Sequence, residues 1–266
     1  MTAKSRRSVK RLCTKMSGKR SKRKQAVNTD SDIQHAALAH LDFDAIQLQS
    51  HRAHGERQIR PLEAKTDSQA RYMRAIQTHA VTFGIGPAGT GKSYCAAGLA
   101  ADGLRRGTIS RLILTRPAVE AGEQLGFLPG DVDEKFGVYI EAFREILDER
   151  LGRGAVDYYL RHGRIVAAPL AYMRGRTFGP GNFVILDEAQ NTTVTQMKMF
   201  LTRIGTDCTM VINGDVQQSD LKGANGLADA IDRLTGLAQV KVHAFERDDI
   251  VRSGLVKAVI DRYEVA

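Results

Sequence analysis

One eight-residue run constrains the fold more than any other part of the sequence. It fits the pattern G-x-x-x-x-G-K-[ST] and comprises Gly86, Pro87, Ala88, Gly89, Thr90, Gly91, Lys92 and Ser93. Residues 81–85 before it are mostly apolar, as in a strand, and residues 94–100 after it suit a helix. Glycines in such a turn let backbone N–H groups face a triphosphate at the positive end of the helix. The run therefore predicts a phosphate-binding loop for ATP or GTP, in preference to a chance glycine-rich turn.

The last two residues of this loop have separate expected roles. The Lys92 ammonium supplies a positive charge to the β- and γ-phosphates, and the Ser93 hydroxyl can ligate Mg²⁺. A loop of this kind only binds the nucleotide, because hydrolysis also requires a held metal ion and a polarised water. Acidic residues from elsewhere in the chain are therefore needed for hydrolysis.

A later segment ends in two acids. Residues 183–186 are all apolar, as in a buried central strand of a parallel sheet, and Asp187 and Glu188 follow directly. Asp187 can hold the Mg²⁺ shell, and Glu188 can orient or deprotonate the attacking water. Alone, such a segment more often marks a strand that meets a solvated loop. Together with the phosphate loop, it predicts the catalytic acids of a nucleotide hydrolase.

Two glutamines are further candidates for contact with the nucleotide. Residues 208–212 predict a third strand, Gly214 permits a tight turn after it, and the Gln218 amide beyond could touch the γ-phosphate and the water. Gln69 precedes the first strand, where the paired donor and acceptor of an amide could read the adenine edge. A lone glutamine is usually a surface residue, so the pattern alone leaves the role of Gln69 open.

Four segments resemble the PhoH family of ATPases. They are residues 83–92, 114–130, 187–191 and 196–205, and the second and fourth are far more specific than a phosphate loop. The resemblance runs from about Pro61 to Glu264. It implies a core similar to the first motor domain of superfamily-one helicases and an association with RNA metabolism. It also implies these roles: adenine contact for Gln69, Mg²⁺ ligation for Ser93 and Asp187, water activation for Glu188 and γ-phosphate sensing for Gln218.

The chain after Pro61 alternates strands and helices, which predicts a mainly parallel sheet flanked by helices. Strands are expected near residues 81–85, 111–115, 164–168, 182–187, 208–213 and 240–245. Helices are expected near residues 68–78, 92–105, 132–150, 154–162, 193–203, 224–235 and 251–263. The expected fold is therefore one α/β P-loop domain over residues 61–266, with the nucleotide at the carboxyl ends of the strands, and the resemblance implies an NTPase domain of the RecA-like type.

Basic residues are concentrated at the amino terminus. The formal net charge is +9, yet residues 1–27 carry eleven basic residues and no acid, which leaves 28 basic and 30 acidic residues for the remainder. Such a segment cannot bury enough apolar surface to offset the entropy of ordering it. We expect residues 1–60 to be a basic, largely disordered extension, either an arm for nucleic-acid phosphates or a solubilising tail.

Cysteine usage and hydropathy indicate the compartment. Cys13, Cys95 and Cys208 are too few and too scattered for a disulfide framework or a four-cysteine zinc site. The sequence contains no apolar run long enough to cross a bilayer and no secretory signal pattern. These features predict a cytoplasmic protein that does not use a membrane.

Assembly is expected from the length of the domain. Superfamily-one helicases close the nucleotide site between two motor domains, and this chain has room for one, so an arginine for the γ-phosphate would come from another subunit. By resemblance the candidates are Arg203 and Arg252, although each could instead be a surface helix arginine. The expected assembly is a homo-oligomer, and the resemblance suggests a hexameric ring.

The expected function is Mg²⁺-dependent ATP hydrolysis, coupled in a helicase-like way to binding or remodelling of RNA or single-stranded nucleic acid. Two alternatives remain open. Deoxynucleoside kinases of the type-two thymidine kinase class carry a similar loop and an Asp-Glu-Ala-Gln strand, but they also carry a four-cysteine zinc site that this chain cannot build. A nucleotide-dependent nucleic-acid-binding scaffold would bind ATP with little turnover, and the presence of Glu188 and Gln218 argues against it.

Overall fold

The computed structural model describes residues 60–117, 132–219 and 224–251, together with Arg262, and gives the backbone alone for residues 132–139. The chain divides into two units between Ile59 and Arg60, and the described residues all belong to the second. The expected amino-terminal extension and most of the helix expected at 251–263 lie outside the described residues.

Six parallel strands form one sheet, in the order β3-β2-β4-β5-β1-β6. They are β1 (Val81–Ile85), β2 (Arg111–Arg116), β3 (Ile165–Pro169), β4 (Asn182–Leu186), β5 (Thr209–Gly214) and β6 (Val240–Ala244). The carboxyl ends of all six strands therefore meet at one edge. The strand before the phosphate loop, β1, and the strand before the two acids, β4, are separated by β5 alone. The parallel sheet predicted from the sequence is confirmed.

Helices cover both faces of the sheet. They are α1 (Asp67–Thr78), α2 (Lys92–Arg106), α3 (Val132–Leu151), α4 (Arg153–Arg161), α5 (Val194–Leu201) and α6 (Gly226–Leu234). In the part of the chain that the structure describes, three short 3₁₀ segments that the sequence did not predict lie at Leu170–Met173, Ala189–Asn191 and Arg247–Asp249. None of the helices within the described ranges is both long and apolar enough to span a bilayer.

Side chains at the helix starts explain where several helices begin. The Thr66 hydroxyl accepts from Gln69 N and caps α1, and the side-chain oxygen Oδ1 of Asn225 accepts from Leu227 N and caps α6. Thr193 and Gln196 form a reciprocal capping box at the start of α5. Each cap satisfies backbone N–H groups that have no partner within the helix.

Helix α5 is shorter than predicted, because the chain leaves the helix to pair with an earlier segment. The prediction placed its end at residue 203, and the structure places it at Leu201. Phe178 N donates to Arg203 O at 2.8 Å, and Gly205 N donates to Phe178 O at 2.9 Å. These bonds with an extended neighbour replace the next helical bonds, which a local pattern cannot reveal.

Apolar residues fill both faces of the sheet because successive strand residues point to opposite sides. On one side a cluster packs α5 and α6 against the strands and includes Phe83, Leu186, Met197, Phe200, Met210 and Leu227. On the other side α2 packs against α1 and α3, and its alanines at positions 96, 97, 100 and 101 are almost fully buried. Strands covered on both faces are continuously apolar, which is why the sequence identified β4 so readily.

Candidate nucleotide site

The phosphate loop, residues 86–91, connects β1 to α2 and has a positive φ at each of its three glycines. Gly86 and Gly91 have φ values of 131° and 85°. A Cβ on Gly86 would lie 2.4 Å from Phe245 O, and one on Gly91 would lie 2.5 Å from Gln69 Nε2. Side chains at these positions would therefore be strained by the backbone and blocked by neighbours. The loop has the conformation for which its glycine pattern is suited.

The Lys92 side chain folds back over the loop. Its Nζ donates to Gly86 O at 2.6 Å and to Pro87 O at 2.8 Å. Burial lowers the pKa of the Lys92 ammonium, whereas the carboxylates of Asp215, Asp187 and Glu188 act in the opposite direction. The ammonium thus lies where the loop curves, and the charges of three acids partly oppose the effect of burial on its pKa.

Asp187 connects α2, β4 and β2 at the carboxyl edge of the sheet. The Ser93 hydroxyl donates to Asp187 Oδ1 at 2.9 Å, and Arg116 Nη2 donates to Asp187 Oδ2 at 2.6 Å. Asp187 N donates to Thr115 O at 2.9 Å, which fixes the backbone just beyond the end of β4. Ser93 and Asp187 are thus side by side, although 94 positions separate them in the sequence.

These residues fit a Mg²⁺ ion that is shared with the phosphates of a nucleotide. A hydroxyl and a carboxylate offer hard oxygen ligands, and Mg²⁺ commonly uses one or two protein oxygens together with phosphate oxygens and water. The described residues contain no group of three or more His, Cys, Asp and Glu side chains suited to a metal ion. The donor set therefore matches a nucleotide-dependent Mg²⁺ site and differs from that of a self-sufficient metal centre.

Glu188 is solvent-exposed and has a left-handed backbone, with φ 54° and ψ 40°. Gln190 Nε2 donates to Glu188 Oε2 at 2.7 Å, and Gln190 Oε1 accepts from Asp215 N at 3.1 Å. The Ser219 hydroxyl donates to Gln190 O at 3.1 Å. Gln190 therefore links the candidate base to the loop after β5.

Gln218 lies in that loop and is exposed. Its backbone N donates to Asp215 O at 3.1 Å, which closes a turn. Residues 215–218 line a cavity of about 750 Å³, whose other walls are residues 85–87 of the loop region and residues 244–247 after β6. The cavity thus brings Gln218 and the start of the phosphate loop to a common space, and γ-phosphate sensing by Gln218 stays a prediction.

Gln69 is buried beneath the phosphate loop, with 3% of its surface exposed. Its Nε2 donates to Thr90 O at 2.9 Å, and its Oε1 accepts from Lys65 N at 2.8 Å. The amide thus ties the loop to the chain before α1. Contact between Gln69 and adenine stays a prediction.

Of the two arginines predicted to act at the nucleotide of a neighbouring subunit, the structure describes one. The Arg203 guanidinium donates to Met199 O at 3.1 Å and to Thr202 Oγ1 at 3.4 Å, at the end of α5. The chain runs from there to the start of β5, so the structure does not bring Arg203 to the loop of its own chain. Arg252 lies outside the described residues. A role for either arginine in another subunit stays a prediction.

A polar cluster packs behind β1. The Tyr72 hydroxyl donates to Asn213 Oδ1, and the hydroxyl of Ser68 lies 3.0 Å from His243 Nε2. The Tyr72 ring packs against His243 and Phe245, with centroid distances of 5.6 and 5.2 Å. Burial lowers the pKa of the His243 imidazole, so its neutral form is favoured. This cluster fixes α1 against the strands on either side of β1.

Sequence reasoning gave no role to two residues at this site. Arg116 contacts Asp187 across neighbouring strands, and its sequence signals are a basic residue at the carboxyl end of β2 and its place in the family-like segment 114–130. Gln190 bonds to Glu188 and to Asp215 N, and its signals are an amide two positions after the acid and its place in the family-like segment 187–191.

Comparison with known proteins identifies relatives of this chain. The family model described as PhoH-like protein matches residues 61–264. The chain is 48% identical to a PhoH-like protein of Bacillus subtilis over 205 residues and 43% identical to Protein PhoH of Escherichia coli K12 over 215 residues. These matches cover 76% and 79% of this chain, and 64% and 60% of the two relatives.

The chain thus spans less than two thirds of the length of these relatives. Among solved structures, the Pif1 helicase from Candida albicans matches with a TM-score of 0.36 and 12% identity, over 71% of this chain and 41% of that one. That likeness is too distant to support an argument about the site. The family model covers residues 61–264, which include the phosphate loop, and with the identity to the two relatives this shows that the chain belongs to the PhoH-like family.

Proposed function

We propose that this protein is a Mg²⁺-dependent ATPase whose turnover is coupled to RNA or single-stranded nucleic acid. The observation that carries the proposal is the convergence of Lys92, Ser93, Asp187 and Glu188 at one edge of the sheet. Phosphate charge, metal ligation and water activation would then be supplied from adjacent positions. Membership of the PhoH-like family supports this assignment.

The residues would divide the reaction between them. Loop N–H groups and the Lys92 ammonium would bind the β- and γ-phosphates, while the hydroxyl of Ser93 and the Asp187 carboxylate would hold Mg²⁺. When bound, Mg²⁺ neutralises charge on the phosphates. Glu188 is exposed and would orient the attacking water and take its proton, with its position set by Gln190. The Gln69 amide would hold the phosphate loop in position and contact the adenine base of the nucleotide.

A surface after β3 supports the nucleic-acid part of the proposal. Tyr172 is 54% exposed, and Arg174 and Arg176 next to it are exposed and have no side-chain hydrogen bond or ion pair within the described residues. Met173 and Phe178 are buried and anchor this segment to the core. An aromatic ring with two arginines on a fixed segment suits base stacking and phosphate contact. The basic residues 1–27 would add a less specific electrostatic contact.

We further propose a homo-oligomer, with a hexameric ring as the expected form, in which Arg203 or Arg252 reaches the neighbouring subunit's nucleotide. The described residues contain a single nucleotide-binding domain, and in this proposal the arginine contributed to its nucleotide comes from another chain. The buried thiols of Cys95 and Cys208 suit the reducing cytoplasm, which is the compartment we propose.

Steady-state ATPase measurements, with and without single-stranded RNA or DNA, test the central proposal. Lys92→Ala should abolish ATP binding, and Glu188→Gln should retain binding but lower turnover by about 10²–10⁴-fold. Lys198→Ala and Glu145→Gln are matched controls, because both side chains are exposed on other helices. Parental turnover in Glu188→Gln would refute the assignment of the base. ATP binding without turnover in the parent would favour the alternative, a nucleotide-dependent scaffold.

Binding of a fluorescent single strand at several salt concentrations tests the nucleic-acid contacts. Deletion of residues 1–27 should weaken binding and flatten its salt dependence. Arg174→Ala with Arg176→Ala should do so too, whereas Arg106→Ala with Arg111→Ala, which removes the same charge at the opposite edge, should not. Equal affinities for all variants would rule out both surfaces.

Mixing of inactive subunits tests the shared site. A Lys92→Ala chain keeps its arginines, and an Arg203→Ala or Arg252→Ala chain keeps its phosphate loop. In a mixture, some subunit interfaces would therefore pair an intact phosphate loop with an intact arginine. Turnover should then recover on mixing and rise with protein concentration in the parent. A rate per chain that is independent of concentration, without recovery on mixing, would refute the shared site.

A further inference from the structure

Asp187 is held by an arginine of its own chain. Its carboxylate is almost fully buried, at 6% exposure, and it accepts from Ser93 at one oxygen and from Arg116 at the other. The oxygens that would serve Mg²⁺ are therefore the same oxygens that these two side chains use. Ser93 can remain as a fellow ligand of the metal, but the guanidinium of Arg116 cannot, because it is a cation.

The Arg116 side chain is loosely held apart from this contact. One nitrogen, Nη2, bonds to Asp187, and the buried Nε has no hydrogen-bond partner in the part of the chain that the structure describes. Its Cζ lies 5.7 Å from the centre of the Phe143 ring on α3, and 29% of the side chain is exposed. The guanidinium can thus move over the aromatic ring or toward solvent without leaving other bonds broken.

We infer that Arg116 is an internal counter-ion that competes with Mg²⁺ for Asp187 and so sets how strongly nucleotide binding depends on the metal. This inference rests on the proposed nucleotide site. With Mg²⁺ present, binding requires the ion pair to separate, so Arg116 opposes it. Without the metal, the ion pair neutralises a carboxylate that would otherwise repel the phosphates, so Arg116 favours binding.

The two effects have opposite signs, which makes them separable in a binding experiment. The affinity of the full-length chain for ADP, which cannot undergo γ-phosphate hydrolysis, is measured once with excess Mg²⁺ and once with EDTA. Relative to the parent, Arg116→Gln should bind ADP about fivefold more tightly with Mg²⁺ and about fivefold more weakly with EDTA, at the lower end of typical coupling between sites. The ratio of the two dissociation constants should therefore change about 25-fold.

Two further variants serve as controls. Arg111→Gln removes the same charge from the other end of β2, where the side chain is exposed, and should leave both affinities within about twofold of the parent. Arg116→Lys keeps the positive charge and should stay close to the parent ratio. If Arg116→Gln does not fold, Arg116→Met takes its place, because methionine keeps a long unbranched side chain without the charge and should change the ratio as glutamine does.

Each result decides between distinct outcomes. Weaker ADP binding by Arg116→Gln under both conditions would mean that Arg116 contacts the phosphates directly, and it would overturn the inference. Unchanged affinities would show that the ion pair does not compete with the metal, and would also overturn it. If the parent chain binds no ADP with Mg²⁺, both the proposed function and the inference fail. The first two outcomes leave the proposed function standing.

Discussion

The Arg150–Asp102 and Arg116–Asp187 ion pairs differ in the number of hydrogen bonds that the arginine makes and in how much of its side chain is exposed. Arg150 Nη2 donates to both oxygens of Asp102, at 2.6 and 2.8 Å, and its Nη1 donates to Arg60 O at 2.6 Å. Arg116 makes a single bond to Asp187. The Arg150 side chain is 3% exposed, whereas that of Arg116 is 29% exposed.

Position in the fold explains the contrast. Arg150 lies in the last turn of α3 and joins it to α2 and to the start of the domain, in a region that no ligand needs to enter. Arg116 and Asp187 lie at the carboxyl edge, where a parallel α/β sheet binds its ligands. Arg150, which has several partners, therefore holds helices together. Arg116, which has one partner, can give up that partner to a ligand.

The largest expected effect is on stability, at the pair with more bonds. Arg150→Met should lower the free energy of unfolding by about 3 kcal/mol, because the buried Asp102 carboxylate would lose both of its short bonds and keep only the longer, partly exposed contact with Arg105 at 3.6 Å. Urea unfolding measures the change. The double variant Arg150→Met with Asp102→Leu should recover most of the loss, since no charge is then buried alone. A loss below about 1 kcal/mol in the single variant would contradict the conclusion that Arg150 holds the fold together.

A smaller loss is expected at the other pair. Without nucleotide, Arg116→Gln should lower the free energy of unfolding by about 1–2 kcal/mol, because Arg116 is partly solvated and water can reach the site. The same urea measurement, repeated at high salt, should show a smaller difference from the parent, since salt screens partly exposed pairs. The difference for Arg150→Met should change little. Equal losses for both arginines at low salt would contradict the contrast.

The smallest effect concerns an uncharged contact, the bond between Ser68 and His243. Burial lowers the folded-state pKa of His243, aided by the charges of Arg71 and Lys241 and opposed by Asp249. The neutral form is favoured in the folded state, so its contribution to stability is present above the unfolded pKa of about 6.5 and is lost as the pH falls below it. The loss between pH 7 and 5 should be smaller than the loss caused by either arginine substitution, since one partly buried imidazole is involved.

Comparison with His243→Gln isolates this effect, because other groups also titrate in that range. The parent should lose more stability than the variant between pH 7 and 5 in thermal or urea unfolding. Parallel curves for the two proteins would show that His243 does not contribute to the pH dependence.

The sequence predicted those parts of the fold and site that depend on neighbouring residues. The glycine pattern of 86–91 and the apolar run before Asp187 are local, and they located β1, α2 and the end of β4 to within about a residue. The contact between Arg116 and Asp187 spans 71 positions and depends on which strands become neighbours. No local pattern encodes that order, so the partner of Asp187 could not be foreseen.

Burial of polar side chains was equally hard to foresee. A glutamine such as Gln69 is usually exposed, and its place beneath the loop follows from the packing of α1 against β1 and β6. The same holds for Gln190, which bonds to the loop after β5 because β4 and β5 are neighbours. Side-chain partners of this kind appear only once the sheet order is known.

Glu188 has the left-handed backbone described above, which suits glycine and costs a residue with a side chain about 1 kcal/mol or more. Its carboxylate is therefore kept at a position where glycine would fold more easily. A library of variants selected for folding alone should drift toward glycine at position 188, and one selected for turnover should retain the acid. The residue found at position 188 would thus show whether the variants had been selected for stability or for catalytic turnover.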